Sequence, residues 1–253
     1  MDAKITVKDL TMAYGSLVVM HDLNFEIQDK EIFVIMGGSG CGKSTLLRHL
    51  IGLQEPTKGS ILYDGKDFTA TDPAERESFI KRFGVMYQSG ALWSSLTLGE
   101  NISMPLEESG EIPAKTVRDL VSYKLSLVGL SGYEDYYPAQ ISGGMKKRAG
   151  IARAMALDPD ILFLDEPGAG LDPLSSRRLD DLILRLRDSQ GSTIVIVTHE
   201  LASIFNIATK ALFLDTATHT QGALGNPAEL RDHSDNPAVR LFLNRGELPK
   251  TPP

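Results

Sequence analysis

Eight consecutive residues, Gly37-Gly38-Ser39-Gly40-Cys41-Gly42-Lys43-Ser44, constrain this chain more than any other feature. They fit G-x-x-x-x-G-K-[ST], directly after the apolar run Ile32 to Met36 and directly before a segment carrying Leu46, Leu47, Leu50 and Ile51 at helical spacing. Glycines let a backbone turn tightly and aim several N–H groups at phosphate oxygens, and the helix starting near Lys43 adds its positive dipole end. Lys43 has the reach to meet β- and γ-phosphates, and the Ser44 hydroxyl suits Mg²⁺. A strand, a phosphate cradle and a helix in that order commit the chain to an α/β fold.

Two further apolar runs, Ile161 to Leu164 and Ile194 to Val197, lack the alternation of half-buried strands. Such runs suit parallel strands covered on both faces. Each ends in polar residues, Asp165-Glu166 and Thr198-His199, and ligands of open α/β sheets collect beyond the carboxyl ends of strands. Three motifs at three strand ends are therefore expected to converge on one crevice. Nearer the start, Ile5 and Val7, then Leu23, Phe25 and Ile27, and later Ile61 and Tyr63, alternate with polar residues as half-buried strands do. Between about Gln88 and Gln140 strand-like runs disappear, and Val117, Leu120, Val121, Leu125 and Val128 predict an inserted helical lobe. At the far end Asn236-Pro237 predicts a helix start, Val239, Phe242 and Leu243 its apolar stripe, Gly246 its stop, and Leu248 to Pro253 a frayed tail.

Composition narrows the function. The 253 residues carry 26 Lys+Arg against 33 Asp+Glu, a net charge of −7, which argues against a protein that works by covering nucleic-acid phosphates. No window reaches the ~18 apolar residues of a membrane span, and the first ten residues lack a signal-peptide core, so a cytoplasmic protein is expected. The single cysteine, Cys41, fits a reducing compartment. Lying inside the cradle, its alkylation is expected to block nucleotide entry, with nucleotide protecting it.

In P-loop NTPases a carboxylate at a second strand end holds Mg²⁺, the role open to Asp165, and Glu166 beside it is placed to activate an attacking water. His199 is a candidate to contact the γ-phosphate or orient that water. His21, His49, His219 and His233 have no comparable placement. Ser142-Gly143-Gly144 precedes Ala149, Ala152, Ala156 and Leu157 at helical intervals, so Ser142 reads as an N-cap and its helix end as a second anion-seeking site.

The cradle, Ser142-Gly143-Gly144, Asp165-Glu166 and His199, in that order, resemble the ATPase subunit of an ATP-binding cassette transporter. The resemblance implies a P-loop NTPase (RecA-like) core with an N-terminal antiparallel β subdomain and an inserted α-helical subdomain at about 89–155. The ATPase domain would then occupy 1–225, and a C-terminal extension with a short helix 226–253. It implies that ATP and Mg²⁺ bind residues 37–45, Thr45 included, and that Ser44, Gln88 and Asp165 surround the metal. Glu166, His199 and Gln88 would serve hydrolysis. Ser142, Gly143 and Gly144 would cap the γ-phosphate held by a second copy, so that two chains sandwich two ATP molecules head to tail. Tyr14 resembles the aromatic that stacks on adenine, and Asp172 the loop that touches the opposite subunit.

Met145 stands where the family commonly has Gln, and Gly170 where Ala is common; neither removes a phosphate ligand. Met145 to Arg148, Gln88 to Leu92, Leu96 to Asn101, and the segment 235–243 are similar to the Mla group of lipid-transport ATPases. That group implies a membrane permease partner, an MCE-domain lipid-binding protein, a small accessory subunit, a place on the cytoplasmic face of the inner membrane, and a role in outer-membrane lipid asymmetry. Its tail reaches over the neighbouring subunit. The run Lys146 to Arg148 itself reads as a solvated helix face. Alternatives are an ATPase of the same family moving another small substrate, a soluble ATPase of this fold without a transport role, and a nucleotide-binding regulator.

Overall fold

A computed structural model describes residues 3–88, 90–110 and 112–246. They form two compact units: residues 3–80 with 193–246, and Lys81–Ser192. The predicted tail, Leu248 to Pro253, and Ser89 of the Gln88 segment lie outside the described residues.

The first unit opens with strands β1 (Ile5–Tyr14) and β2 (Leu17–Ile27), paired antiparallel. Strict alternation would turn Leu10 and Met12 away from Ile5 and Val7. A bulge between Val7 and Leu10, with Asp9 at φ 47°, shifts the phase by one residue, and all four side chains are buried. Asn24 secures the bulge, its Oδ1 accepting the Asp9 N–H at 2.9 Å and its Nδ2 donating to Asp9 Oδ1 at 3.0 Å. Next come β3 (Ile32–Gly37), α1 (Lys43–Leu50), β4 (Lys58–Tyr63), β5 (Lys66–Asp67) and α2 (Pro73–Ile80). The order β2-β1-β4-β5 makes the antiparallel sheet expected near the N-terminus.

The second unit begins at β6 (Phe83–Met86), followed by α3 (Leu98–Glu108), α4 (Ala114–Leu127), a 3₁₀ turn at Pro138–Gln140, α5 (Gly143–Ala154), β7 (Ile161–Asp165) and α6 (Pro173–Gln190). The helical insertion is present: Val117, Val121, Leu125 and Val128 are buried as the periodicity requires, while Leu120 is half-buried. Thr97 and Glu100 form the capping box that starts α3, and Asn101, fully buried, donates to the carbonyls of Trp93, Leu96 and Thr97. The Leu96 to Asn101 segment thus has a folding role. Helix α5 stops at Ala154, short of the expected Leu157, which is exposed.

Strand β6, which the periodicity of the sequence does not signal, pairs parallel with β7. Gly84 lets it run against α5: a Cβ there would lie 2.2 Å from the Ala154 carbonyl oxygen and 2.8 Å from Pro159 Cγ. Gly84→Ala is therefore expected to destabilise this unit by about 1–3 kcal/mol, because backbone must move to admit the methyl group. Urea unfolding checks it; an unchanged midpoint would contradict the tight packing.

The chain returns to the first unit with β8 (Thr193–Val197), α7 (Leu201–Ile207), β9 (Lys210–Asp215), β10 (Thr220–Gly225), α8 (Pro227–His233) and α9 (Pro237–Leu243). In this unit β3 lies between β8 and β9, parallel to both, and β10 closes the edge antiparallel to β9. Every residue of β3 and β8 is buried, which accounts for their unbroken apolar runs. The hairpin β9–β10 and helix α8 add to the elements expected from sequence. Helix α9 starts at the N-cap Asn236 as predicted. It docks on its own chain, with Val239 and Leu243 buried, Phe242 against Phe213 at 5.4 Å, and Asn236 Nδ2 donating to Asp215 Oδ2 at 3.0 Å.

Candidate functional site

In the first unit the loop from Gly37 to Gly42 joins β3 to α1. Gly37 (φ 150°) has no room for a side chain, since a Cβ would sit 2.7 Å from Cys41 Sγ and 2.8 Å from the Leu214 carbonyl oxygen. Gly40 (φ 76°) and Gly42 (φ 95°) take the left-handed turns that glycine allows. Gly38, Ser39 and Gly40 are exposed, with open space where Gly38 and Gly40 would carry a Cβ. Gly42 is the N-cap of α1 and provides no side-chain cap, so the helix opens at Lys43, Ser44 and Thr45 without one. Lys43, 9% exposed, folds its ammonium back to donate to the carbonyls of Gly37 and Gly38, each at 3.0 Å. A helix start with glycine at its cap, an ammonium and a glycine-rich loop suit a phosphate chain.

Tyr14 and His199 stand beside this loop. The half-exposed Tyr14 ring presents its hydroxyl to Thr45, and that hydrogen bond, with help from Arg48, holds the phenol below its usual range. His199 follows β8, whose Val197 pairs with Ile35 of β3. Thr198 donates its N–H to the Ile35 carbonyl at 3.2 Å, so the exposed His199 leaves the sheet at the same level as Gly37.

Cys41 is buried, and burial pushes its thiol up while the Lys43 ammonium pulls the other way. Thiolate is therefore scarce at pH 7, and the Sγ is packed under Gly37. This changes the expected thiol block. Alkylation is expected to be markedly slower than that of an exposed cysteine and to quicken as pH rises beyond the usual thiol range. Mass spectrometry after timed iodoacetamide exposure checks it; labelling as fast as that of free cysteine would contradict it. His49, buried with Nδ1 2.8 Å from the Gln54 carbonyl oxygen, has a structural place.

The second unit repeats the strand-end arrangement. Met86 of β6 pairs with Leu164 of β7, so Gln88 and Glu166 each leave their strand two residues later, side by side. Asp165, the last residue of β7, is half-buried. Glu166 is 7% exposed and sits at φ 47°, a left-handed conformation that costs an ordinary residue roughly 1–3 kcal/mol and persists only where its surroundings hold it. Ala169 N–H donates to its carbonyl at 3.2 Å.

Ser142 caps α5, accepting the Met145 N–H at 3.2 Å, and Gly143 and Gly144 expose its first turn beside Leu171 and Ser175. Asp172 caps α6, and hydrogen bonds from Ser175 and Leu174 hold its carboxyl low. A cavity of about 370 Å³ opens between these helices, lined in part by Ser142, Gly144, Arg148, Ser175 and Arg178. The structure thus groups the cradle with Tyr14 and His199, Gln88 with Asp165 and Glu166, and Ser142 to Gly144 with Asp172.

The solvated face expected at Lys146 to Arg148 is corrected. Lys147 is 8% exposed and donates to the carbonyls of Gln88 and Glu166, the latter at 3.2 Å. Arg148, partly buried and held below its usual range first by that burial, donates to the Val128 carbonyl at 3.0 Å and the Gly129 carbonyl at 3.2 Å. A lysine one and a half turns into a glycine-led helix gave no sign of burial, because its acceptors are 59 and 19 residues away in sequence.

Residues 20–169 match the family described as ABC transporter. The chain belongs to that family. It is 42% identical over 245 residues to the probable ribonucleotide transport ATP-binding protein mkl of Mycobacterium leprae, covering 96% of this chain and 70% of the relative. It is 39% identical to the intermembrane phospholipid transport system ATP-binding protein MlaF of Haemophilus influenzae, over 97% of this chain and 92% of that one. Among solved structures it resembles the dimeric ATP-binding cassette MJ0796 in a post-hydrolysis state bound to ADP and Pi, with TM-score 0.78 and 27% identity, covering 88% of this chain and 98% of the other. The protein is an ABC transporter ATPase with a P-loop NTPase fold, binding ATP and coupling its hydrolysis to transport. No helix among the described residues is long and apolar enough to cross a membrane.

Proposed function

We propose that this ABC ATPase powers phospholipid transport between membranes, as a pair of copies attached to a membrane permease on the cytoplasmic face of the inner membrane. The observation that carries this reading is the 39% identity to MlaF along nearly the full length of both chains. The permease supplies the membrane path that the described helices lack. An MCE-domain protein and a small accessory subunit complete the proposed assembly. The relative named for ribonucleotide transport supports a second reading, in which the same engine serves a small anionic substrate.

In this proposal the amides from Gly37 to Thr45 hold the triphosphate, Lys43 neutralises its β and γ oxygens, and the Tyr14 ring stacks on adenine. Ser44, Gln88 and Asp165 would hold Mg²⁺, whose charge, when bound, neutralises that developing on the phosphates. The Glu166 carboxylate accepts a proton from water as the water oxygen bonds to the γ-phosphorus; the bond to the bridging oxygen breaks, releasing ADP and phosphate. His199 orients the γ-phosphate. The Ser142–Gly144 turn of a second copy closes over the γ-phosphate, with Asp172 at the seam. Loss of phosphate removes those contacts and lets the pair open, which is how hydrolysis becomes movement.

Recovery of the full chain from detergent extracts tests the assignment. Co-purification of a multi-span protein with bound phospholipid supports it. A multi-span partner whose ATPase rate responds to nucleotides and not to lipid favours the second reading, and recovery without any membrane protein contradicts both.

A further inference from the structure

Helix α5 is fastened to the loop after β6 along one face, at Lys147, Gly150 and Arg153. A Cβ on Gly150 would lie 2.8 Å from the Gly90 carbonyl oxygen, so helix and loop touch backbone to backbone. One turn later Arg153 donates to the Ala91 carbonyl. One turn earlier Lys147 donates to the Gln88 carbonyl and, unlike the other two, reaches a second strand end, at the Glu166 carbonyl. An ammonium with three tetrahedral donors can hold two carbonyls from different segments at once. The carbonyl it holds at Glu166 belongs to a residue in a left-handed conformation, where a backbone tether decides which way the side chain leaves.

We propose that Lys147 is a positioning residue for hydrolysis, tying the backbone of Glu166 to Gln88 and to α5, so that the carboxylate is aimed only while loop and helix keep their places. The proposal rests on the reading of Glu166 as the base. Helix α5 then serves hydrolysis at two points, since Ser142 begins the helix and five residues later Lys147 grips the base of the same copy. A shift of α5 when Ser142 engages nucleotide, or of the Gln88 loop when a membrane partner pulls on it, would reach Glu166 through this ammonium. The linkage requires a long cationic side chain and no contact between Lys147 and nucleotide.

The test compares the full chain with Lys147→Met and Lys147→Arg. Methionine fills the space without a donor, whereas arginine restores donors able to reach both carbonyls. Lys147→Met is expected to lose at least about tenfold in kcat, as misplacement of a catalytic group does, with KM for ATP within about twofold of wild type. Lys147→Arg is expected to recover most of the loss. Hydrogen exchange in 86–92 and 166–169 is expected to quicken in Lys147→Met and return in Lys147→Arg, a readout independent of turnover. Unchanged kcat with unchanged exchange, or a loss that arginine does not mend, would overturn the proposal. Should the methionine variant fail to fold, Lys147→Gln, which lacks the reach of the ammonium, takes its place under the same criteria. Normal turnover by Glu166→Gln would instead sink the base assignment, and exchange would still judge the tether.

Discussion

Glu166→Gln is expected to bind ATP about as tightly as the wild type while hydrolysing it roughly 10²–10⁴-fold more slowly. The amide keeps the volume of the buried side chain, and the Lys147 ammonium and the Ala169 N–H donate to the backbone carbonyl at this position, which the substitution leaves in place. The substitution removes the basic carboxylate. Steady-state phosphate release and equilibrium binding of a fluorescent ATP analogue separate the two effects. Turnover near the wild-type rate would assign the base elsewhere.

Lys43→Met is expected to fail at the step before. The Lys43 ammonium is held by the carbonyls of Gly37 and Gly38 inside the loop it serves, so it is pre-placed for phosphate at little further entropic cost. Hydrogen bonds to charged groups contribute about 1.5–3 kcal/mol, so its loss should weaken ATP binding by roughly 10–150-fold. The rise in Tm that saturating ATP confers should shrink accordingly, because a ligand stabilises only in proportion to its binding. Calorimetric titration checks the affinity directly, and an unaltered Kd would remove Lys43 from the phosphate site.

What could be read from the sequence was whatever depends on neighbours in the chain. The cradle is local: an apolar strand, glycines whose φ values only they adopt freely, and a helix that starts without a side-chain cap. The caps at Ser142 and Asn236 are local as well. Strand β6 escaped because it is four residues long with Gly84 in it, and that glycine is explained by the Ala154 carbonyl and Pro159, 70 and 75 residues on. The bulge at Asp9 needed Asn24 on the facing strand. Lys147 escaped for the same reason, since its role is set by two distant carbonyls, and a basic run on a helix ordinarily faces water. Cys41 shows the reverse error, a residue inside an exposed loop that is itself buried beneath Gly37.

In the proposed cycle two copies close on nucleotide, the cradle of each facing the Ser142 helix end of the other. Sedimentation of Glu166→Gln with and without Mg-ATP reads this closure, because slow hydrolysis lets the closed pair accumulate. The variant is expected to be a monomer without nucleotide and, with it, a dimer holding two ATP molecules. Adding Ser142→Arg is expected to keep the protein monomeric while ATP still binds. A nucleotide-loaded Glu166→Gln that stays monomeric, or a dimer indifferent to both ATP and Ser142→Arg, would rule out closure of two copies on ATP.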